Sequence, residues 1–381
     1  MAVIALTGAR VFTGERFLDR HSVLLDGAKI VGLVADEAVP SNIRREALGG
    51  GILAPGFIDA QVNGGGGFLV SGTVDTPTLA GLCAAHGRHG STALLPTLIT
   101  DRADAMQQAL AAVREAIAVG VPGVAGIHLE GPFLSTARKG AHDPSLIRTL
   151  SDADVDLILG SGIETVLLTV AAENAAPRLI RRLADGGVIV SLGHTDASYE
   201  VAMAAADAGA RGITHLFNAM SPLQHRAPGV VGAALDHGGL WCGIIADGHH
   251  VHPGALSVAL RAKRGPARLF LVSDAMPPAG DPGDVFYLNG RKAERRQGIL
   301  VLEDGTLAGS DLTMDAAVRY SVDSLGLGLS EALRMASLYP AQFLRLDDSL
   351  GRIAPDYTAD LVHLGDHLMT KAIWIGGKRQ A

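Results

Sequence analysis

The chain has 381 residues and a net charge of −7, with 48% apolar and 19% charged residues. That composition fits one large or two smaller compact domains and excludes a disordered chain. The negative balance speaks against a general nucleic-acid surface, which needs a basic stripe, but an anionic small ligand requires only one or two placed arginines.

Residues 1–50 predict short strands. IALTGARVFTG and HSVLLDGAKIVGLVA alternate, with a hairpin signal at Asp26-Gly27. The opening segment has no basic stretch leading into an apolar run and a cleavage site. No run of about 18 uncharged apolar residues follows, so a cytoplasmic chain without membrane contact is expected. From residue 52 the rhythm changes. Apolar, β-branched runs predict strands at 52–60, 91–98, 123–130, 164–170, 187–194, 211–217, 240–247 and 267–274. Helical stretches such as ADAMQQALAAVREAIAV and YEVAMAAADAG lie between most of them. Eight strands alternating with helices predict a parallel (β/α)8 barrel, an α/β fold of the TIM type. A doubly wound open sheet shares the alternation and is the rival. Residues 283–308 break the rhythm and predict a β-hairpin insertion after the eighth strand. Helix returns in LTMDAAVRYSVD and LSEALRMASLYPAQFL, and TADLVHLGDHLMTKAIWIGGKRQA is strand-like again. The two ends are therefore expected to form one small β-domain, residues 1–53 with 355–381, flanking a barrel of residues 54–354. Cys83 and Cys242, each within an apolar segment, give neither a disulfide framework nor a zinc-finger spacing. They are expected to be buried, reduced thiols.

In such a barrel the chemistry sits at the C-terminal ends of the strands. The predicted third strand ends in Glu130 and the fifth in His194; the sixth contains His215 and the eighth ends in Asp274. The seventh runs into ADGHHVH, with Asp247, His249, His250 and His252. Two imidazoles and a carboxylate, with a fourth position open to water, make a catalytic zinc arrangement. Glu130, His194 and His215 are the candidate set, although no short motif ties them together and each histidine alone reads as an ordinary core or rim residue. Asp274 has three readings at a barrel mouth: metal ligand, general base or N-cap. The Met-Pro-Pro that follows shortly after is a poor helix start. As a base it would take a proton from the attacking water and later return it to a leaving amine. Arg226, in a Gly/Pro-flanked loop, can clamp a phosphate or carboxylate, or simply face solvent. Asp315 near a helix start is explained by the helix dipole, and His128 reads as structural. No phosphate loop or convincing dinucleotide fingerprint is present. LAPGFIDAQVNGGGG raises a question of its own. Many metal hydrolases that open this way follow the Asp with His-x-His, and here those seats hold Gln61 and Asn63.

The segments PGFIDAQVNG, LPTLIT, GIHLEGPF, KGAHDP, GHTDA, THLFNAM, PGVVGAALD, CGIIADGHHV, LVSDAMPPAG, LAGS and ASLYPAQFL run in order from about residue 50 to 345. Together they resemble the N-acetylglucosamine-6-phosphate deacetylase family of the amidohydrolase superfamily. The resemblance implies a (β/α)8 barrel with a small β-sandwich built from both termini, commonly as a homodimer. It implies hydrolysis of N-acetylglucosamine 6-phosphate to glucosamine 6-phosphate and acetate. It assigns Glu130, His194 and His215 to one divalent metal ion and Asp274 to the acid–base role. The ligand types favour zinc, though iron, manganese or cobalt occupy such sites. Substrate contacts are implied at Ala141 and His142, at Asn218 and Ala219, and across Asp247, Gly248, His249 and His250. Others fall on Leu307, Ala308 and Gly309, with the phosphate at Arg226 and the backbone after Asn218. Gln61 and Asn63 then stand where a two-metal relative places imidazoles. Neutral amides ligate zinc weakly, so one ion is expected, with both amides as hydrogen-bonding neighbours. His225 and His249 depart from the expected pattern. Two other readings remain: a related amidohydrolase acting on N-acetylgalactosamine 6-phosphate or another N-acyl amino sugar, and a non-catalytic sugar-phosphate binder. The retained Asp274 argues against the binder.

Overall fold

The computed structural model describes residues 3–380. Eight strands form one sheet in chain order: Phe57–Val62, Ser91–Ile99, Ile127–Glu130, Val166–Val170, Ile189–Leu192, Gly212–Ile213, Trp241–Ile244 and Leu269–Leu271. Every neighbouring pair is parallel. Past the last strand the chain returns to the first, where Asp274 N donates to Gln61 O at 3.0 Å. That bond closes the sheet into the expected (β/α)8 barrel and removes the open-sheet alternative. Phe57–Val62 and Val166–Val170 are buried at every position; VLLTV accordingly reads as a nearly continuous apolar run, while FIDAQV carries Asp59 and Gln61 into the interior. Helices follow the strands, and several start at side-chain caps. Asp75 accepts from Thr78 N at 2.9 Å, and Ser151 forms a capping box with Asp154. No helix among the described residues is long and apolar enough to cross a membrane.

The strand expected over 52–60 is two strands. Ile52–Pro55 belongs to a six-stranded sheet, and Phe57–Val62 opens the barrel. Gly56 is the crossing point. A Cβ there would lie 1.9 Å from Thr92 Oγ1, so only glycine lets the chain pass. The sixth strand is only Gly212–Ile213. Beyond it His215, Phe217 and Ala219 adopt φ of 31°, 82° and 50°, a left-handed backbone that cannot continue a strand.

The termini form two further sheets. One pairs Lys29–Ala35, His21–Asp26, Ile4–Thr7 and Arg44–Ala47. The other joins Arg10–Phe12, Phe17–Leu18 and Ile52–Pro55 to the C-terminal Leu361–Leu364, Thr370–Ile375 and Lys378–Arg379. Leu6, Val23, Leu25 and Ile30 of the first sheet share a core with Val11, Leu53, Leu361 and Trp374 of the second, apart from the barrel core. This is a small β-sandwich made from both ends of the chain. The insertion after the eighth strand holds three antiparallel strands, Val285–Leu288, Arg291–Arg296 and Ile299–Leu302, where the sequence suggested a hairpin. Phe286, Leu288, Ala293, Leu300, Leu302 and Ala308 give it a core of its own against Met276. Cys83 and Cys242 are both free and buried. Asp315 does stand in the first turn of Met314–Asp323, but buried and paired with Arg319 at 3.2 Å.

Asp59 makes a stability prediction. It is fully buried in the barrel wall; Oδ1 accepts from Ser273 N at 3.1 Å and Oδ2 has no partner among the described residues. Burial outweighs the hydrogen bonds and pushes the carboxyl up from 3.8 to about 7. The unfolded chain sheds this proton near pH 3.8, whereas the folded chain keeps it to about 7. Between those values the folded state binds more protons, so stability falls as pH rises through the window. At 1.36 kcal/mol per pKa unit the full effect is on the order of 4 kcal/mol. Asp59→Asn should flatten this slope. Urea titrations of chelator-treated protein at about pH 5 and about pH 8 check it, and an equal slope in variant and wild type would refute it.

Candidate metal centre and substrate pocket

Four side chains meet at the C-terminal end of the barrel. Glu130 is the last residue of its strand, and His194, His215 and Asp274 lie just past theirs. His194, His215 and Asp274 have φ of 46°, 31° and 53°. Such backbone costs a non-glycine residue about 1–3 kcal/mol and persists only where its surroundings fix it. Here the ladder continues around the bends. Leu216 N donates to Gly243 O at 2.8 Å, Ser310 N to Asp274 O at 2.8 Å and Ser135 N to His194 O at 2.8 Å.

His215 Nε2 and His194 Nε2 lie 3.0 and 3.2 Å from Glu130 Oε1, and 3.1 Å from each other. All three residues are buried. His194 Nδ1 donates to Arg138 O at 2.9 Å, which leaves the lone pair of the neutral ring on Nε2. Burial drives the Glu130 carboxyl up, but the hydrogen bonds and charges of His194 and His215 outweigh it and hold it well below the usual range. For His215 burial acts downward, and Glu130 outweighs it and raises the imidazole. Lone pairs converging this closely in a buried space demand a positive charge among them. Two nitrogens and a carboxylate oxygen are also the donor set a divalent ion takes. The cluster, with its donor atoms all within 4.8 Å of one another, can therefore hold a metal ion.

Asp274 faces the cluster and caps no helix. Its Oδ1 accepts from Gln61 Nε2 at 3.0 Å and from Asn63 Nδ2 at 2.7 Å. Gln61 Nε2 also donates to Glu130 Oε1 at 3.1 Å. The two amides that stand in place of His-x-His thus work as donors to carboxylates. Burial, reinforced by the Glu130 charge, pushes Asp274 up to about 6. A carboxyl so placed can exchange a proton near neutrality.

A cavity of about 250 Å³ opens over these groups. Of the anticipated residues, Asn63, Ala141, His142, Asn218, Ala219, His250, Leu307 and Gly309 line it with the four central ones. Thr100 N donates to His142 Nδ1 at 3.3 Å, so the His142 proton sits on Nε2. The His142 ring stands edge-on to His194, with centroids 4.3 Å apart. His250 Nδ1 donates to Asp247 Oδ2 at 2.6 Å, so Asp247 acts through His250 from behind the wall. Asp247 also holds the turn by accepting from His249 N and His250 N at 2.8 and 2.9 Å. Gly248 and His249 are exposed beside that turn, and Ala308 is buried in the small inserted sheet. Arg226 and His225 are exposed on their loop, outside the cavity wall. His128 lies within the barrel, bonded to Thr169 Oγ1 at 2.8 Å, and burial lowers it to about 4. The sequence reading missed Ile99, Gly140, Met276, Leu288 and Thr306, which complete the lining. Ile99 at a strand end and Gly140 within KGAHDP carried a usable signal. Leu288 and Thr306 belong to the insertion, and nothing local shows which of its faces turns inward.

Known proteins are similar to this chain along nearly its whole length. The N-acetylgalactosamine-6-phosphate deacetylase of Shewanella sp. (strain ANA-3) is 42% identical over 373 residues, covering 97% of this chain and 94% of that protein. The N-acetylglucosamine-6-phosphate deacetylase of Homo sapiens is 38% identical over 396 residues, covering 99% and 95%. A crystal structure of N-acetylglucosamine-6-phosphate deacetylase from Pasteurella multocida matches with a TM-score of 0.96 at 35% identity, over 100% of both chains. Residues 4–53 match the NagA composite domain and residues 52–380 the Amidohydrolase family. The chain belongs to the amidohydrolase family.

Proposed function

We propose that this chain is a metal-dependent deacetylase that hydrolyses N-acetylglucosamine 6-phosphate to glucosamine 6-phosphate and acetate. The observation that carries the reading is Asp274, held by two amides and facing the Glu130–His194–His215 cluster at the base of a cavity. Glu130, His194 and His215 would hold one divalent ion, zinc ahead of iron, manganese or cobalt. When bound, the ion supplies Lewis acidity, acidifying a water and polarising the acetamide carbonyl. Asp274 takes the proton of the attacking water. Gln61 and Asn63 occupy its Oδ1, which leaves Oδ2 for that proton. Asp274 then passes the proton to the departing nitrogen, so the amine leaves neutral. His142, with its proton on Nε2, is the side-chain donor for the developing oxyanion; His250, whose Nδ1 proton is held by Asp247, joins it as a donor only in its imidazolium form. Ile99, Met276 and Leu288 keep that wall apolar. Arg226, Asn218 and Ala219 would hold the phosphorylated end, whose binding energy orients the amide. The reading includes a cytoplasmic homodimer.

Acetate release from N-acetylglucosamine 6-phosphate by metal-loaded protein tests the proposal, and no release would reduce the chain to a binder. N-acetylgalactosamine 6-phosphate belongs in the same assay, because the Shewanella relative is named for it. Arg226→Ala should lower kcat/KM for the phosphorylated sugar by about 10–100-fold, the value of a charge-assisted hydrogen bond. Activity on the unphosphorylated sugar should not change. An unaltered preference for phosphate would remove Arg226 from the site.

A further inference from the structure

One loop, residues 135–142, meets both halves of the site. Its Ser135 N donates to His194 O at 2.8 Å and its Arg138 O accepts from His194 Nδ1 at 2.9 Å. The loop thus grips the backbone and the ring of one histidine, whose φ of 46° needs outside support. Gly140 lies against the same ring, and a Cβ there would sit 3.2 Å from His194 Cε1. Ala141 and His142, the next residues, are cavity wall.

The loop is pinned from two sides. Arg138 Nε donates to Asp196 Oδ1 at 2.8 Å, two residues beyond His194. Glu173 fixes that segment in turn, accepting from Asp196 N at 2.8 Å and from Thr195 Oγ1. On the other side Arg291 of the inserted sheet donates to Ala141 O.

We propose that loop 135–142 links the sugar pocket to the metal centre, with Arg138 as the positioning residue that keeps its own carbonyl on His194 Nδ1. A carbonyl on Nδ1 fixes the tautomer and the ring plane and raises the basicity of Nε2. A ligand that packs on Ala141 and His142 favours the same loop arrangement, so it tightens the ion, and the ion tightens the ligand by an equal factor. The ligand half rests on the substrate reading above; the metal half does not. The Arg138–Asp196 pair, with side chains 36% and 48% exposed, adds little stability as a surface ion pair. Its loss should therefore register in positioning and leave the fold intact.

The test is zinc affinity by chelator competition on the full chain, for wild type, Arg138→Ala, Arg138→Lys and Asp196→Asn. Each is measured with and without glucosamine 6-phosphate. Arg138→Ala and Asp196→Asn should bind zinc about tenfold more weakly, with unchanged melting of the metal-free protein. Arg138→Lys should recover most of the loss. In wild type, saturating glucosamine 6-phosphate should tighten zinc about fivefold or more, and the gain should shrink in Arg138→Ala. Equal zinc affinity in wild type and Arg138→Ala overturns the positioning role. Equal affinity with and without the sugar phosphate, in a chain that releases acetate, overturns the coupling. Failure of the substrate reading shows separately, as no acetate release, and leaves the sugar-free zinc comparison standing.

Discussion

Asp274→Asn should lower kcat by about 10²–10⁴-fold, the range for losing a general acid–base group, while the chain keeps its fold and its metal. The asparagine carbonyl oxygen can still accept from Gln61 Nε2 and Asn63 Nδ2, now at 3.0 and 2.7 Å from Asp274 Oδ1. An amide has nearly the volume of the carboxyl but takes up no proton, so the attacking water loses its base and the leaving nitrogen its acid. Because the role is confined to the transition state, kcat and kcat/KM should fall together. Metal content measured beside kcat separates the readings of this residue. Loss of the ion along with activity would make Asp274 a ligand. Activity within tenfold of wild type would remove it from proton transfer altogether.

The barrel was legible because parallel strands buried on both faces leave long apolar runs, and VLLTV at 166–170 is one such run. What could not be read depends on contacts distant in sequence. The break at Gly56 exists because Thr92 closes on it, and ILAPGFIDA alone looks like one strand. The third strand of the insertion, Ile299–Leu302, is defined by pairing with Arg291–Arg296, and its alternation is too short to stand out. Glu130, His194, His215 and Asp274 were legible as polar residues at the ends of apolar runs. The approach of Glu130, His194 and His215 to about 3 Å, with Asp274 facing them, was not, because it needs the left-handed turns at His194, His215 and Asp274, and nothing in GHTDA, THLFNAM or VSDAM signals a positive φ. Arg226 marks the opposite limit. Its charge and loop are plain in the sequence, yet the folded chain leaves it exposed and outside the cavity wall. Its phosphate role therefore rests on the proposal and its assay.

One tightly held ion per chain is expected when the protein is dialysed against excess zinc, and close to none for His194→Ala. The count follows from Gln61 and Asn63. A second ion beside the first would need lone pairs where His-x-His would offer imidazoles. Gln61 Nε2 instead points its N–H groups at Glu130 Oε1 and Asp274 Oδ1, and Asn63 Nδ2 points at Asp274 Oδ1. Donors aimed at those oxygens take the place a second cation would fill, and they do so without charge. That keeps Asp274 as an acceptor of protons. A carboxylate bound to a second ion would be a weaker base, so the same two amides that exclude the ion preserve the acid–base group. Zinc at about a thousandfold above its Kd should stabilise the wild-type fold by about 4 kcal/mol. His194→Ala should lose nearly all of that, since a site cut from three donors to two holds no ion tightly enough to discriminate folded from unfolded chain. Two strongly bound ions in the wild type would overturn the role given to the amides, and an undiminished zinc effect in His194→Ala would move the site away from the barrel mouth.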